Sequence, residues 1–487
     1  MFKRRFSDPR VVVSVVYVAS GFVAIMDSTI VNVALPTLHR YFASSGHAVD
    51  AVVVAYLVSM AVAIPAAGWA GDRFGAKPAF LSSLVVFWCA SGLCGLSASL
   101  PELLVARVVQ GMAAGVLLPT GTAMLYRTFP PEQRADVARI LVIPTVIAPA
   151  MGPVLGGWLV DQLSWRWVFF VNVPIGLVAT LFGLLWLRDH REPAAGRFDL
   201  AGFLLASSGF GLVLYAMTEG PTLGSASPVI LGSLLLGLCA LGAFVRVELR
   251  APEPMVQLGL LRDRLFRTAN LVSLFGSAAF LGLLFMVPMF LQQALGYSAL
   301  QSGLTSFPEA IGVILSSQVV ARLYPRIGPR RLMAGGLLAV TLTVGSFSLL
   351  GLDVSPWLVR LLMFLTGCGM AYMFLPVQAA AFTAISPAAT GRASALYNAQ
   401  NQLGSALGVG ALSSVLAALG PTLMGVGGVA QVNLAAYRAS FLTAAALALV
   451  GAAVALRVPD RDAAASMRPR GTVPAELAAE EALPARQ

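Results

Sequence analysis

The stretch VVVSVVYVASGFVAIMDSTIVNVALP, Val11 to Pro36, holds a single charged side chain, Asp27. At 1.5 Å of rise per residue, a helix of that length crosses roughly 30 Å of hydrocarbon with residues to spare. A helix is the required solution, because lipid offers no partner to a bare backbone amide. Similar apolar runs recur as far as Leu456. Cutting them at charged, Pro-rich and Gly-rich segments predicts fourteen helices, near 11–38, 47–70, 78–98, 101–125, 136–160, 165–187, 199–217, 227–248, 267–293, 299–324, 331–351, 356–382, 391–419 and 436–457. The fold class expected is an all-α integral membrane protein.

Composition agrees. Hydrophobic residues make up 58% of the 487 and charged residues 11%, with a mean hydropathy of +0.82, whereas soluble domains carry about 25% charged residues. An ordinary soluble enzyme is excluded. A net charge of +10 would suggest nucleic acid in a soluble protein, but here 27 of the 32 Lys and Arg fall on the N-terminal side of the helix register. The exceptions are Arg40, Arg107, Arg166, Arg360 and Arg438. By the positive-inside rule this asymmetry supports the register and predicts cytoplasmic N- and C-termini. MFKRRFSDPR at the start lacks a small-residue cleavage site and reads as a cytoplasmic lead-in rather than a signal peptide.

The four cysteines, Cys89, Cys94, Cys239 and Cys368, lie in apolar runs without paired spacing, and the three histidines are scattered, so no metal site is expected. No phosphate loop, nucleophile elbow or dinucleotide fingerprint occurs, so neither an enzyme nor a cofactor is expected.

A faint internal repeat organises the chain. GWAGDRFGAK from Gly68 and VARLYPRIGPR from Val320 align Gly75 with Gly328, Arg73 with Arg326 and Lys77 with Arg330. This predicts an N-terminal six-helix bundle over 1–198, two inserted helices with a basic linker over 199–266, and a C-terminal six-helix bundle over 267–458. A disordered cytoplasmic tail rich in Ala, Pro, Arg and Glu is expected over 459–487. Transporters are often built from such repeats, with substrate held near the midplane.

Five motifs in order extend the reading: DSTIVNVALP from Asp27, GWAGDRFGAK from Gly68, RVVQGMAAG from Arg107, APAMGPVLGG from Ala148 and WRWVFFVNVPIG from Trp165. Over nearly the whole chain up to the tail they resemble the fourteen-helix drug/proton antiporters of the major facilitator superfamily, the EmrB/QacA type. Ala76 stands where a basic residue is usual in the loop signature. The resemblance implies a major facilitator fold and proton-driven export of lipophilic, often cationic, compounds. It also implies a bacterial cytoplasmic (inner) membrane location, partners limited to substrate, protons and lipid, no nucleic acid, and a functional monomer. A dedicated exporter of an endogenous lipid, siderophore, amino acid or antibiotic is the alternative on the same scaffold, and a non-transporting membrane sensor is a remoter one.

The chemistry is assigned to few residues. A charge midway along an apolar helix costs at least about 2.5 kcal/mol, so Asp27 must face protein or water. Alternating burial and wetting would let it load and release a proton, although a fixed structural hydrogen bond is the alternative role. Glu309 is a second carboxylate deep in an apolar span, on a small or polar stripe with Ser302, Thr305, Gly312 and Ser316, and is expected at the central cavity or in a structural role. Arg107 aligns with Gly111 and Gly115, whose missing side chains permit close helix approach. The resemblance gives an arginine there a part in proton coupling, and the bland alternative is a side chain reaching the outer interface.

Pro149, Gly152, Pro153, Gly156 and Gly157 predict a bent, closely packed helix five. Gly68, Asp72, Arg73, Gly75 and Lys77 form the conformational gating loop. Asn32, Ser306, Asn398, Asn401 and Gln402 are candidates for cavity lining, since polar clusters facing lipid are costly.

Overall fold

The computed structural model describes residues 8–42, 46–130, 133–189, 198–224, 227–251, 254, 256–383, 385–386, 389–424 and 430–467. The apolar runs become helices in the expected order: α1 Pro9–Phe42, α2 Gly46–Phe74, α3 Ala76–Leu96, α4 Leu100–Thr128, α5 Arg134–Gln162, α6 Asn172–Trp186, α7 Leu200–Leu223 and α8 Pro228–Glu248. There follow α9 Arg264–Met289, α10 Pro308–Ile327, α11 Pro329–Phe347, α12 Pro356–Ala381, α13 Thr390–Leu419 and α14 Leu434–Ala455. One helical turn, Trp167–Phe170, leads into α6, and a short helix, Ala299–Ser306, leads into α10. Phe307 separates that short helix from α10, whose first residue, Pro308, supplies no amide to continue the ladder.

Twelve helical stretches are long and apolar enough to cross a bilayer, thirteen if the two arms of α5 count as one span. Those arms, Asp136–Pro149 and Val154–Gln162, meet at 41°, where Pro149 and Pro153 interrupt the backbone hydrogen bonding. Among the fourteen expected spans, α11 falls short of that apolar measure, because Arg330 and Arg331 occupy its first turn in a helix of 19 residues.

The helices sort into two bundles. In the first, α1 packs along α5 and α2 along α4; in the second, α9 packs along α13 and α10 along α12. The bundles meet where α13 lies against α2 and α4, and where α5 lies against α10 and α12. Of the inserted pair, α7 packs against α8, α2 and α13, while α8 turns Val229, Leu231, Leu235, Leu236 and Leu238 outward.

Two features depart from the sequence reading. Two strands, β1 Thr422–Met424 and β2 Ala430–Val432, pair antiparallel between α13 and α14. The first nine residues of the expected disordered tail, 459–467, are packed: Asp460 Oδ1 accepts from the Arg330 amide at 2.9 Å, and Tyr324 Oη bonds Ser466 Oγ at 2.8 Å. Ala463 and Ser466 are buried there. Asp460 and Ser466 find polar partners at α11 and α10, which ties the segment to the end of α10. Residues 468–487 lie outside the described residues.

Candidate functional site

Asp27 sits midway along α1 and is fully buried, as is Arg107 on α4. The two side chains are in direct contact, Arg107 Nη1 donating to Asp27 Oδ2. The other carboxylate oxygen accepts from Gln110 Nε2 at 3.0 Å and from Asn172 Nδ2 at 2.7 Å. Asn172, the first residue of α6, also donates to Ser91 Oγ on α3 at 3.0 Å. Side chains of α4 and α6 therefore meet the carboxylate of α1, and α3 supports them through Ser91.

Arg107 is held as firmly as its partner. Nε donates to the Val52 carbonyl at 3.1 Å, Nη1 reaches Gln110 Oε1 at 2.9 Å, and the guanidinium lies 4.3 Å from the Tyr56 ring centroid. Tyr56 in turn donates to the Ala24 carbonyl at 2.9 Å. Gly111, one turn beyond Arg107, allows this approach, since a methyl group there would run into Ser59 Oγ and the Tyr56 carbonyl. A buried ion pair is tolerated where its remaining donors and acceptors are satisfied, and nearly all of them are; Arg107 Nη2 has no hydrogen-bond partner among the described residues.

Arg107 thus does not reach the outer interface, and Asp27 faces protein. Gln110 and Asn172 were within quoted motifs but unassigned. The available signal was an uncharged amide inside each apolar span, Gln110 lying three residues from Arg107 on the same helix face.

Glu309 differs. It lies in the first turn of α10, 3% exposed, with its backbone pressed against α12 where a methyl group on Gly367 would strike the Glu309 carbonyl. Its Oε1 has no hydrogen-bond partner among the described residues, nor does Ser302 Oγ on the same stripe. Ser302 and Thr305 are buried with it, and Ser306, half-buried, donates to the Ser302 carbonyl at 3.1 Å.

The gating loop joins the two bundles at the face carrying both described termini. Asp72 is buried at the end of α2 and accepts from Arg127 Nη2 at 2.7 Å, with Arg392 Nε 4.0 Å from its other oxygen. Asp72 also stands at the first turn of α13, where a carboxylate is favoured by the helix dipole. Gly68 lies against the backbone of Gly391 and Arg392, so closely that a methyl group would come within 3.1 Å. Ser394 Oγ donates to the Pro119 carbonyl at 2.8 Å, and Tyr126 stacks on Phe382 at 4.0 Å. The two bundles are in contact at this face.

Gly75 has a φ of 97°, a conformation other residues rarely adopt, and Gly328 repeats it at 85°. Lys77 Nζ donates to the carbonyls of Leu184 and Leu187 at 2.9 and 2.7 Å, while Arg73 is exposed. Arg127, in the last turn of α4, supplies the guanidinium that contacts Asp72.

Gly152 and Gly156 of α5 abut Thr29 and Ile30 of α1, and Gly157 lies at an ordinary 3.9 Å from Val33. The side chain of Pro153 is outside the described residues. The polar candidates are dispersed. Asn32 is exposed and, five residues along the helix, is turned away from Asp27. Asn401 Oδ1 accepts from Ser273 and Ser277 of α9 at 2.7 and 2.8 Å, inside the second bundle. Asn398 is half-buried and donates to the Ser394 carbonyl at 2.9 Å. Gln402 lines a small void with Ala61, Ile64, Phe210, Leu214, Ala399 and Leu403.

A paired helical repeat around a buried ion pair, with a closing loop between the halves, defines a secondary transporter architecture. Residues 17–409 match the Major Facilitator Superfamily, and the chain belongs to that family. It is 32% identical over 407 residues to a multidrug resistance protein B homolog of Mycobacterium tuberculosis, covering 82% of this chain and 75% of that protein. It is 31% identical over 396 residues to a putative multidrug resistance protein MdtD of Yersinia pestis, covering 80% and 84%.

Among solved structures, the human organic anion transporter MFSD10 superposes with a TM-score of 0.65 at 17% identity, over 92% of this chain and 99% of that one. The proton:xylose symporter XylE superposes with a TM-score of 0.63 at 14% identity, over 94% and 98%. At that identity the superpositions speak for the fold alone. The protein is a multi-pass membrane transporter.

Proposed function

We propose that the protein is a proton-coupled exporter of lipophilic, often cationic, compounds in a bacterial cytoplasmic membrane, of the fourteen-helix antiporter type. Its termini and the Asp72 loop face the cytoplasm, no cofactor beyond the proton takes part, and the monomer suffices. The names of the relatives support the cargo class. The observation that carries the coupling is the contact of Asp27 with Arg107, both wholly withdrawn from solvent.

A proton on Asp27 would cancel its charge and release Arg107, so protonation and the packing of α1 against α4 are linked. Glu309 has no counter-charge among the described residues. Alternating exposure of the two acids exchanges protons for substrate, each charge crossing being worth about 2.3 kcal/mol per 100 mV.

The test is ethidium efflux from proteoliposomes under an imposed proton gradient, together with ethidium-induced proton release from the detergent-solubilised protein. Asp27→Asn keeps the side-chain shape and is expected to abolish gradient-driven efflux in a folded protein. Glu309→Gln is expected to damage cation export more than export of a neutral dye. Efflux and proton release by both variants equal to the parent's would overturn proton coupling through these acids.

A further inference from the structure

The side chains around Asp27 are set for a charged carboxylate. Arg107 Nη1 donates to Oδ2, and Gln110 Nε2 and Asn172 Nδ2 donate to Oδ1 at 3.0 and 2.7 Å. All three partners are donors, whereas a carboxyl group needs an acceptor for its new hydroxyl. A buried hydroxyl left among donors would be costly.

One of the three carries a spare acceptor. Gln110 Oε1 is occupied, accepting from Arg107 Nη1 at 2.9 Å and from Cys94 Sγ at 3.6 Å. Asn172 is fully buried, and its Oδ1 has no hydrogen-bond partner among the described residues. The terminal bond of an asparagine side chain is one whose rotation is broad and roughly two-fold. A half-turn exchanges Nδ2 for Oδ1, so that the oxygen faces the two atoms the nitrogen now meets, Asp27 Oδ1 at 2.7 Å and Ser91 Oγ at 3.0 Å. In one setting the nitrogen has two partners and the oxygen none; in the other the oxygen has two and the nitrogen none. The tally is even, and a proton on Asp27 tips it.

Ser91 follows the amide. Its hydroxyl donates to the Phe169 carbonyl at 2.9 Å while Asn172 donates to it. Once Oδ1 faces Ser91, the hydroxyl swings to donate to Asn172, and the Phe169 carbonyl keeps its share of the Val171 amide. Phe169 lies in the turn before α6, and the residues ahead of that turn hold the end of α1 away from the termini. Arg166 Nη2 donates to Tyr41 Oη at 3.0 Å and to the Ser97 carbonyl at 3.2 Å, and Trp165 packs on Tyr41 and Phe42 with centroids 5.4 and 5.8 Å apart. The charged and titratable groups facing Asp27 among the described residues are Arg107 on α4, Tyr56 on α2 and Cys94 on α3; α5 presents Gly152 and Gly156 to α1.

We propose that Asn172 is a positioning residue that reads the protonation state of Asp27: it donates to the carboxylate, turns its amide to accept from the carboxyl, and through Ser91 shifts the Phe169 turn that secures the far end of α1. This role rests on Asp27 being the acid that loads a proton, but the rotation needs no substrate.

The rotation is tested without transport, by infrared difference spectroscopy of the full-length protein in proteoliposomes, with asparagine isotope-labelled at its side-chain carbonyl. As the pH is lowered, the carboxyl band of Asp27 is expected to appear and the Asn172 carbonyl band to move to lower frequency with the same midpoint, because its oxygen gains two donors. Asp27→Asn should abolish both changes. The asparagine band is assigned by its loss in Asn172→Leu, or in Asn172→Ser should the leucine variant fail to fold. In Ser91→Ala the displacement should fall to about half, since one donor remains, and ethidium efflux under a proton gradient should fall about tenfold with the Asp27 midpoint unchanged.

An Asp27 band that titrates while the Asn172 band stays fixed would overturn the sensing role, and parental efflux by Ser91→Ala would overturn the relay to the Phe169 turn. Absence of an Asp27 carboxyl band at any pH at which the protein stays folded would instead sink proton loading at Asp27, and the sensing role with it.

Discussion

Several helix crossings are so close that only glycine fits, and two of them, one in each half of the molecule, hold opposite chemistry. In the first half, Gly111 of α4 meets the Tyr56 carbonyl of α2; in the second, Gly367 of α12 meets the Glu309 carbonyl of α10. The sequence offset that relates Gly75 to Gly328 also relates Tyr56 to Glu309, while the two glycines are three positions further apart. Four residues before the glycine stands Arg107 in one half and Met363 in the other, both buried.

The first crossing therefore carries a cation and a ring above it, with Asp27, Gln110 and Asn172 completing the shell. The second carries a carboxyl with no ion-pair partner among the described residues. What differs is compensation. A pair removed from water is stable while complete and unstable once either member is deleted, whereas an isolated acid is stable only while neutral. One crossing sets its acid against a cation, and the other has none in an ion pair with its acid among the described residues.

Arg107→Met, which copies the second crossing into the first, should break the comparison most severely. Removing one member of a buried pair costs about 3–5 kcal/mol, so a marked drop in the unfolding temperature in detergent and loss of efflux by more than a hundredfold are expected. Adding Asp27→Asn should recover much of the stability and none of the transport. If the double variant is no more stable than Arg107→Met alone, the pair does not account for the penalty.

The converse change, Met363→Arg, supplies Glu309 with a cation. Ethidium-induced proton release should fall about tenfold, because a paired carboxylate no longer has reason to hold a proton. Unchanged release would mean that the introduced guanidinium does not reach Glu309 or that Glu309 carries no proton.

Asp72→Asn sharpens the contrast between the buried sites and the loop that joins the halves. It removes the charge from the Arg127 contact and from the first turn of α13, and should reduce transport several-fold while leaving ethidium affinity within about twofold. A parallel loss of affinity, measured by fluorescence titration, would place Asp72 in the substrate's path. The smallest effect is expected from Ser277→Ala, which leaves Asn401 bonded to Ser273. A lost neutral hydrogen bond of this kind is worth about 1 kcal/mol, readable as a modest fall in unfolding temperature with efflux nearly intact.

Asp27, Arg107 and Glu309 were legible because a charge inside an apolar run has to be explained, and lipid forbids leaving it bare. Asn32, Asn398, Asn401 and Gln402 looked alike for the same reason, yet Asn401 is bonded within the second bundle and Asn32 is exposed. The polar character of a residue is a property of the chain; its neighbour is not. Gln110 and Asn172 were overlooked because an amide in a helix costs far less than a charge, and so signals its partner more weakly.

The order of helices, the sidedness of the basic residues and the glycine-bearing loops at Gly75 and Gly328 were set by the sequence alone. Each follows from local rules: hydropathy over a span, charge at a loop, and backbone freedom at a turn. The meeting of α4 and α6 at Asp27 of α1 with α3 in support, the seating of α7 between α2 and α13, and the packing of Pro459–Met467 under α10 were decided only by the tertiary structure. Residues more than a hundred positions apart meet there. Helical periodicity says which face a side chain occupies but not which helix covers that face, and that choice is made by the close packing of all the helices together.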